Sequence, residues 1–187
     1  WKPSTSSRAT LGGMIANNSS GSHVPVYGTT ADHVRTIDFV LADGRRVTLD
    51  SGSTALDDVH ARVAEILEPC RAELDARMPP GLLKRWPGYG IEDWIRTGPE
   101  LRWLIGGSEG TLGLITGATL KLDPLPARKG LGAISFASVA EAMQAAVALL
   151  DLRPAAIEHI DDVLFEQTRG QIAFRQGRAL LGLDEAP

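Results

Sequence analysis

Apolar positions along this chain change their spacing from segment to segment, and each change marks an element. From Val34 to Leu41 the alternation has period two, with Val34, Thr36, Asp38 and Val40 on one side and Arg35, Ile37, Phe39 and Leu41 on the other, so a strand is expected. The Asp43-Gly44 dipeptide then leads into Arg46–Leu49 and predicts a β-hairpin with a two-residue type I′ turn, both turn residues taking positive φ. Between residues 55 and 78, Leu56, Val59, Val63, Ile66, Leu67 and Leu74 recur near helical spacing; Pro69 should kink this helix or start a new one, and Pro79-Pro80 should end it. Residues 9 to 17 carry Leu11, Met14 and Ile15 on one side of a short helix, for which the hydroxyls of the Ser4–Ser7 stretch are candidate caps. Asn17 to Thr30 is too rich in Asn, Ser, Gly and Pro for a regular element and predicts loop.

Lys84 to Ile95 sets three aromatics among three breaking residues, which predicts a loop running into a short helix, and Gly113 to Leu122 alternates as a strand. The prolines at 124 and 126 then mark the chain's best domain boundary. Beyond them a strand at 132–136, an Ala-rich helix at 139–150, a strand at 155–160 and a helix from about Asp161 give the β-α-β-α order of half a ferredoxin-like unit. The tail from Gly170 is weakly patterned.

Composition narrows the class. With 187 residues, 43% of them hydrophobic and 22% charged, the chain can bury a core and reads as globular. A net charge of -4 offers no attraction to nucleic acid, which is excluded as a partner, and no apolar run is long enough for a membrane span. The single Cys70 forms no internal disulfide and fits a reducing, cytoplasmic setting; on its helix it reads as a small buried hydrophobe. A chain that opens at Trp1 is expected to be processed or to be part of something longer.

Two glycine-rich segments, about ninety residues apart, carry the candidate chemistry: Ala9 to Gly21, and Gly106 to Thr116. Gly12 and Gly13 sit inside a helical pattern, where each costs about 1 kcal/mol relative to Ala, so something is expected to approach closely. That something is either a strand in a tight core or a ligand. In the second segment Gly106, Gly107 and Gly110 free the backbone to turn, and Glu109 places a carboxylate in the bend, where it can staple the loop or accept a ribose hydroxyl. Neither segment has the G-x-G-x-x-G order of a dinucleotide-binding βαβ unit or the Gly-Lys-Ser/Thr of a P-loop. His23, His33, His60 and His159 lack metal-ligand spacing; His23 and His33 flank Tyr27-Gly28, without a catalytic role being assigned. Glu158, Asp161 and Asp162 read as helix-capping acids, and Trp86 and Trp94 as packing or as walls of a substrate mouth.

In order along the chain, Ala9–Gly21, Val26–Val34, Val40–Gly44, Gly107–Thr116 and Leu120–Pro126 resemble the FAD-linked oxidases of the vanillyl-alcohol oxidase type. Within them the resemblance is to the D-lactate, glycolate and D-2-hydroxyglutarate dehydrogenase branch, whose Gly-Tyr-x-Leu element is similar to the run from Trp86 to Ile91. The resemblance implies an α+β fold: over residues 1–126 the second subdomain of a PCMH-type FAD-binding domain, over 127–187 the beginning of a ferredoxin-like substrate-side cap. It implies FAD as cofactor, with Thr10, Gly12 and Gly13 against the flavin or pyrophosphate, Asn17, Gly21, Tyr27 and Gly28 nearby, and Glu109, Gly110, Gly113 and Ile115 lining the other side.

The activity implied is oxidation of a D-2-hydroxy acid by hydride transfer to flavin, with electrons passed to a second acceptor, an iron–sulfur region of the parent being one candidate. The family's pyrophosphate loop and later cap motifs have no counterpart in these residues, so a middle fragment is expected, with catalytic residues outside it and a tendency of the isolated chain to self-associate. The alternatives are a noncatalytic half-module unable to bind FAD alone, and a sugar or aromatic alcohol oxidase on the same scaffold.

Overall fold

The computed structural model describes residues 7–78, 81 and 87–180, and the chain divides into two compact units between Pro124 and Leu125. The first unit runs α1 (Leu11–Ala16), α2 (Val24–Tyr27), α3 (Thr30–His33), β1 (Val34–Val40), β2 (Arg46–Leu49), α4 (Asp57–Leu67), a 3-10 turn (Glu68–Cys70), α5 (Arg71–Arg77), α6 (Ile91–Arg96), α7 (Leu101–Ile105) and β3 (Leu114–Leu120). The strands form one antiparallel sheet in the order β2-β1-β3, so the fold is α+β.

One face of that sheet makes the core. Ile37 and Phe39 of β1, Leu49 of β2, Ile15 of α1, Leu56 before α4 and Ile105 of α7 pack with Val34, and Ile115 and Leu120 of β3 cover them. Simple alternation puts Val34 on the side opposite Ile37 and Phe39, yet all three are buried. A bulge supplies the reason: Val34 pairs with Leu120 but Thr36 with Thr119, leaving Arg35 as an extra, exposed residue that restores Val34 to the core face.

The hairpin forms, but with a different turn. Gly44 N–H donates to Leu41 O at 3.0 Å and Leu41 N–H to Arg45 O at 3.0 Å, so three residues, Ala42 to Gly44, make the loop. Gly44 takes φ 86° while Asp43 is not among the residues with positive φ, which rules out type I′. The Asp43 side chain accounts for the difference: its Oδ1 accepts from Arg45 N at 3.0 Å and its Oδ2 from Arg45 Nε at 2.8 Å, closing the turn locally.

Helix α1 is capped by Thr10, whose Oγ1 accepts from Gly13 N at 3.2 Å; of the Ser4–Ser7 stretch expected in that role, residues 4–6 lie outside the described residues. The expected loop after it holds two single helical turns. α2 starts with Pro25 in its first turn, and α3 has a capping box in which Asp32 Oδ2 accepts from Thr29 N at 2.7 Å. Pro69 starts a new helix through the 3-10 turn, as a residue without an N–H should. Cys70 is exposed rather than buried, because it lies in a helical stretch, α4 to α5, none of whose residues is buried. Pro79-Pro80 and Trp86 lie outside the described residues.

At the far end of β3 the chain is tied back to α3. Lys121 N–H donates to His33 O at 2.7 Å, and the buried His33 ring lies between Thr29 O (Nδ1, 2.9 Å) and Asp123 Oδ2 (Nε2, 2.6 Å). The hydrogen bond from His33, helped by its charge and that of Lys121, holds the Asp123 carboxyl below the usual carboxylate range.

The second unit contains α8 (Val139–Leu149), a 3-10 turn (Leu150–Leu152), α9 (Asp162–Gln167) and α10 (Ile172–Leu180). Ser138 caps α8 by accepting from Glu141 N at 3.2 Å, and Asp161 caps α9 by accepting from Leu164 N at 2.7 Å, the capping role expected of that acid. Arg178 lies 4.0 Å over the Phe165 ring and donates to Phe165 O and Thr168 Oγ1, joining α10 to the end of α9. The strands expected at 132–136 and 155–160 are absent: both segments are largely exposed coil, and no described segment pairs with them. A strand's N–H and C=O groups need a neighbouring ladder, and alternation alone does not supply one.

Gly44 has open space where a Cβ would go, so Gly44→Val should cost about 1–2 kcal/mol from left-handed backbone strain alone, read as a shift in urea midpoint at unchanged slope. Asp123, with a depressed native pKa, stabilises the fold fully above the unfolded value of about 4 and loses that contribution as pH falls through the lower native value. Asp123→Asn should therefore lower stability at neutral pH and flatten the acid limb of a stability-against-pH curve.

Candidate cofactor site

The two glycine segments, remote in sequence, meet through their backbones. Helix α1 ends in a Schellman motif: Asn18 takes φ 47°, its N–H reaches Ile15 O at 3.0 Å, and Ser19 N–H reaches Met14 O at 2.8 Å. The second segment arrives on the same helix end. Gly107 N–H donates to Ile15 O at 3.3 Å and Glu109 N–H to Ala16 O at 2.8 Å, so the last carbonyls of α1 are satisfied by a loop ninety-odd residues later. Asn18 also holds α3, since its Oδ1 accepts from Ala31 N at 2.9 Å, and Ser19 O accepts from Thr30 N and Oγ1 at 3.1 and 2.6 Å.

The second segment follows an irregular path. Gly107 (φ 89°), Glu109 (φ 51°) and Gly110 (φ 80°) all lie in the left-handed region, which an ordinary side chain avoids. The glycines differ in their surroundings. A Cβ on Gly107 would collide with the carbonyl of Gly88, so packing requires glycine there, while one on Gly106 would lie in close contact, 3.2 Å from Ala31 Cβ. A Cβ on Gly113 would strike Val40 O and the Phe39 ring at the start of β3. Gly12 and Gly110 have no described atom within 4 Å of where a Cβ would go; the φ of 80° accounts for a glycine at 110, and packing accounts for neither.

The remaining expected residues divide in the same way. The Gly13 amide is committed to Thr10 Oγ1, and a Cβ there would lie 3.0 Å from that oxygen. The exposed Asn17 has its N–H on Gly13 O at 3.0 Å, while its side-chain amide makes no hydrogen bond among the described residues. The Glu109 carboxylate likewise has no partner among the described residues; its amide does the stapling that the sequence suggested for its side chain. Gly28 (φ 75°) closes α2 with a Cβ position 2.5 Å from Asp32 Oδ2, Gly21 O accepts from Val24 N at 3.1 Å, and the half-buried Tyr27 stands edge-on to His23 at 6.2 Å. No hydrogen bond among the described residues joins Gly21, Tyr27 or Gly28 to residues 106–115. Ile115 pairs with Phe39, and its side chain packs against the core. Trp94 is buried, with its ring 4.8 Å from His60. His60 Nε2 meets Pro99 O at 2.5 Å, and no cluster of three or more metal-ligating side chains occurs among the described residues.

Two positions with open space in place of a side chain, a carboxylate and a side-chain amide are what these segments leave for a ligand among the described residues. Gly12 lies one turn before Ala16 on the same side of α1, and Ala16 O is the anchor of the bend carrying Gly110; both open glycines, the Glu109 carboxylate and the Asn17 amide therefore belong to one backbone junction. The open depression lined by Asp38, Arg46, Thr48 and Thr116 on the sheet contains none of the expected cofactor residues.

Residues 1–50 match the family model described as FAD binding domain. The chain is 31% identical to D-2-hydroxyglutarate dehydrogenase of Pantoea ananatis over 95% of its length and 33% identical to that of Pseudomonas putida over 84%. The chain is similar to the FAD-linked oxidases, and residues 1–50 carry the match to their FAD binding domain. A D-lactate dehydrogenase of Archaeoglobus fulgidus is likewise 30% identical over 82% of the chain. FAD is the cofactor of this family's domain. The chain spans about a fifth of the length of the D-2-hydroxyglutarate dehydrogenases it matches, 19% and 17% of the two named. No described helix is long and apolar enough to cross a membrane.

Gly107→Ala must displace the Gly88 backbone as well as bear the left-handed φ, whereas Gly110→Ala bears only the second cost, about 1–2 kcal/mol. Chemical denaturation should show Gly107→Ala to be clearly the more destabilised of the two; equal losses would contradict the packing assigned to Gly88.

Proposed function

We propose that this chain supplies one side of the flavin site in an FAD-dependent dehydrogenase that oxidises a D-2-hydroxy acid of the lactate or 2-hydroxyglutarate type. The observation that carries the reading is the junction of the two glycine segments, where Gly12 and Gly110 are open and the Asn17 and Glu109 side chains are uncommitted. The FAD binding domain matched by residues 1–50 supports the cofactor, and the names of the relatives support the substrate class.

In this reading residues 1–126 hold the cofactor and 127–187 begin a cap. Gly12 and Gly110 let the backbone lie against the ligand, with Thr10 and Gly13 shaping the turn beside Gly12. Glu109 and Asn17 offer an acceptor and an amide to it, a ribose hydroxyl being the natural partner of the carboxylate. Gly113 and Ile115 set the start of β3 that brings the bend to the site, and Gly21, Tyr27 and Gly28 form the adjoining loop. FAD, when bound, supplies the redox chemistry by accepting the substrate's hydride, and a second acceptor takes the electrons onward. The single, exposed Cys70 thiol accords with a cytoplasmic setting.

The test is the full-length protein's absorbance between about 350 and 500 nm, followed by turnover of D-2-hydroxyglutarate and D-lactate with an artificial electron acceptor. A yellow protein active on a D-isomer and inert to its L-isomer is expected; a colourless, well-folded one would overturn the reading. Gly110→Val should lose flavin on gel filtration while unfolding within about 1–2 kcal/mol of the parent. Full flavin content in that variant would remove Gly110 from the site.

A further inference from the structure

A second loop lies on the glycine bend. The carbonyl of Gly88 sits in the space a Gly107 side chain would need, and the next residue, Tyr89, brings its hydroxyl 2.8 Å from Thr111 Oγ1. The direction of that hydrogen bond follows from the neighbours. Thr111 Oγ1 is also 2.7 Å from Ser108 O, a carbonyl that can only accept, so the threonine's proton goes there and the tyrosine must donate. Thr111 N–H reaches the same carbonyl at 3.0 Å. Ser108 to Thr111 is therefore a turn closed twice by Thr111, and Thr111 is in turn held by Tyr89.

Between those two residues lie Glu109 and Gly110, both at left-handed φ, the residues with an uncommitted carboxylate and an open backbone face. Such a backbone persists only where its surroundings over-determine it. Main-chain bonds to α1 fix one side of the bend, and Tyr89 is the side chain that fixes the other.

We infer that Tyr89 is a positioning residue for this bend: by donating to Thr111 Oγ1 it fixes the Ser108–Thr111 turn in the conformation that presents Glu109 and Gly110 to the cofactor. The word "cofactor" here rests on the function proposed above; the mechanical part does not. Tyr89 is 41% exposed, so its hydroxyl finds water when the bond is broken, and the loss is felt in the local order of the bend rather than in global stability.

Hydrogen exchange at the Thr111 and Glu109 amides, measured on this chain, reads the mechanical part. Tyr89→Phe should speed both by about five- to tenfold, the value of one ordinary hydrogen bond, at an unchanged melting temperature. Thr111→Val should speed them further, and adding Tyr89→Phe to it should change nothing more, because the partner has gone. Thr111→Ser keeps the hydroxyl and should restore the parental rates. Exchange in Tyr89→Phe equal to the parent's, or full additivity in the double variant, would overturn the inference. In the full-length protein Tyr89→Phe should release FAD faster by a similar factor and alter the visible circular dichroism of the bound flavin, with Thr111→Ser again parental. A full-length parent that holds no flavin would sink the cofactor reading while the exchange results still decide the role of Tyr89.

Discussion

Two main-chain hydrogen bonds, Gly107 N–H to Ile15 O and Glu109 N–H to Ala16 O, organise the first unit. The helix end they reach is six residues long and could not hold its conformation alone. Met14 and Ile15 anchor it in the core, the Schellman turn at Asn18 closes it, and the bend from the far segment takes up its remaining acceptors. Everything that approaches the proposed ligand surface, Gly12 on one side and Glu109-Gly110 on the other, is placed by that union of a helix terminus with a strained loop.

Such a contact is invisible to periodicity. Glycine, asparagine and serine announce themselves in both segments as permissive for unusual backbone, and the resemblance to flavin-linked oxidases was legible because the order of those short motifs is specific. Which glycine serves packing and which leaves room for a ligand was not legible, since Gly107 and Gly110 look alike until the Gly88 carbonyl is seen against one of them. His33 and Asp123, ninety residues apart, gave no signal of their ion pair, and the spacing of Tyr89 and Thr111 fits no local pattern.

The elements most legible were those with a local cause. Pro69 restarted its helix, Ser138 and Asp161 capped theirs, and the alternation from Val34 gave a strand. The missed strands and the altered turn share one reason, that strands and turns are completed by distant or polar partners. Among the described residues the segments at 132–136 and 155–160 have the alternation but no paired strand, and the Asp43-Gly44 turn was decided by the hydrogen bonds of the Asp43 side chain to Arg45 rather than by dipeptide preference.

The strand pairing conceals a cancellation. β1 carries an extra residue at Arg35, and β3 carries one at Thr116, between the pairs Asp38–Gly117 and Phe39–Ile115. The first offset puts Val34 and Ile37 on one face despite their odd separation; the second does the same for Ile115 and Leu120. Because one insertion lies on each strand, the frame lost at one is regained at the other. The Val40–Leu114 end, beside the glycine bend, and the Val34–Leu120 end, beside the His33 clamp, thus keep a common phase, and only the stretch between them is displaced by a residue. A length change at one bulge alone would turn one end of β3 inside out relative to the other, whereas a matched change at both would leave the two ends where they are. Indels in this sheet are therefore tolerable only in pairs, one on each strand.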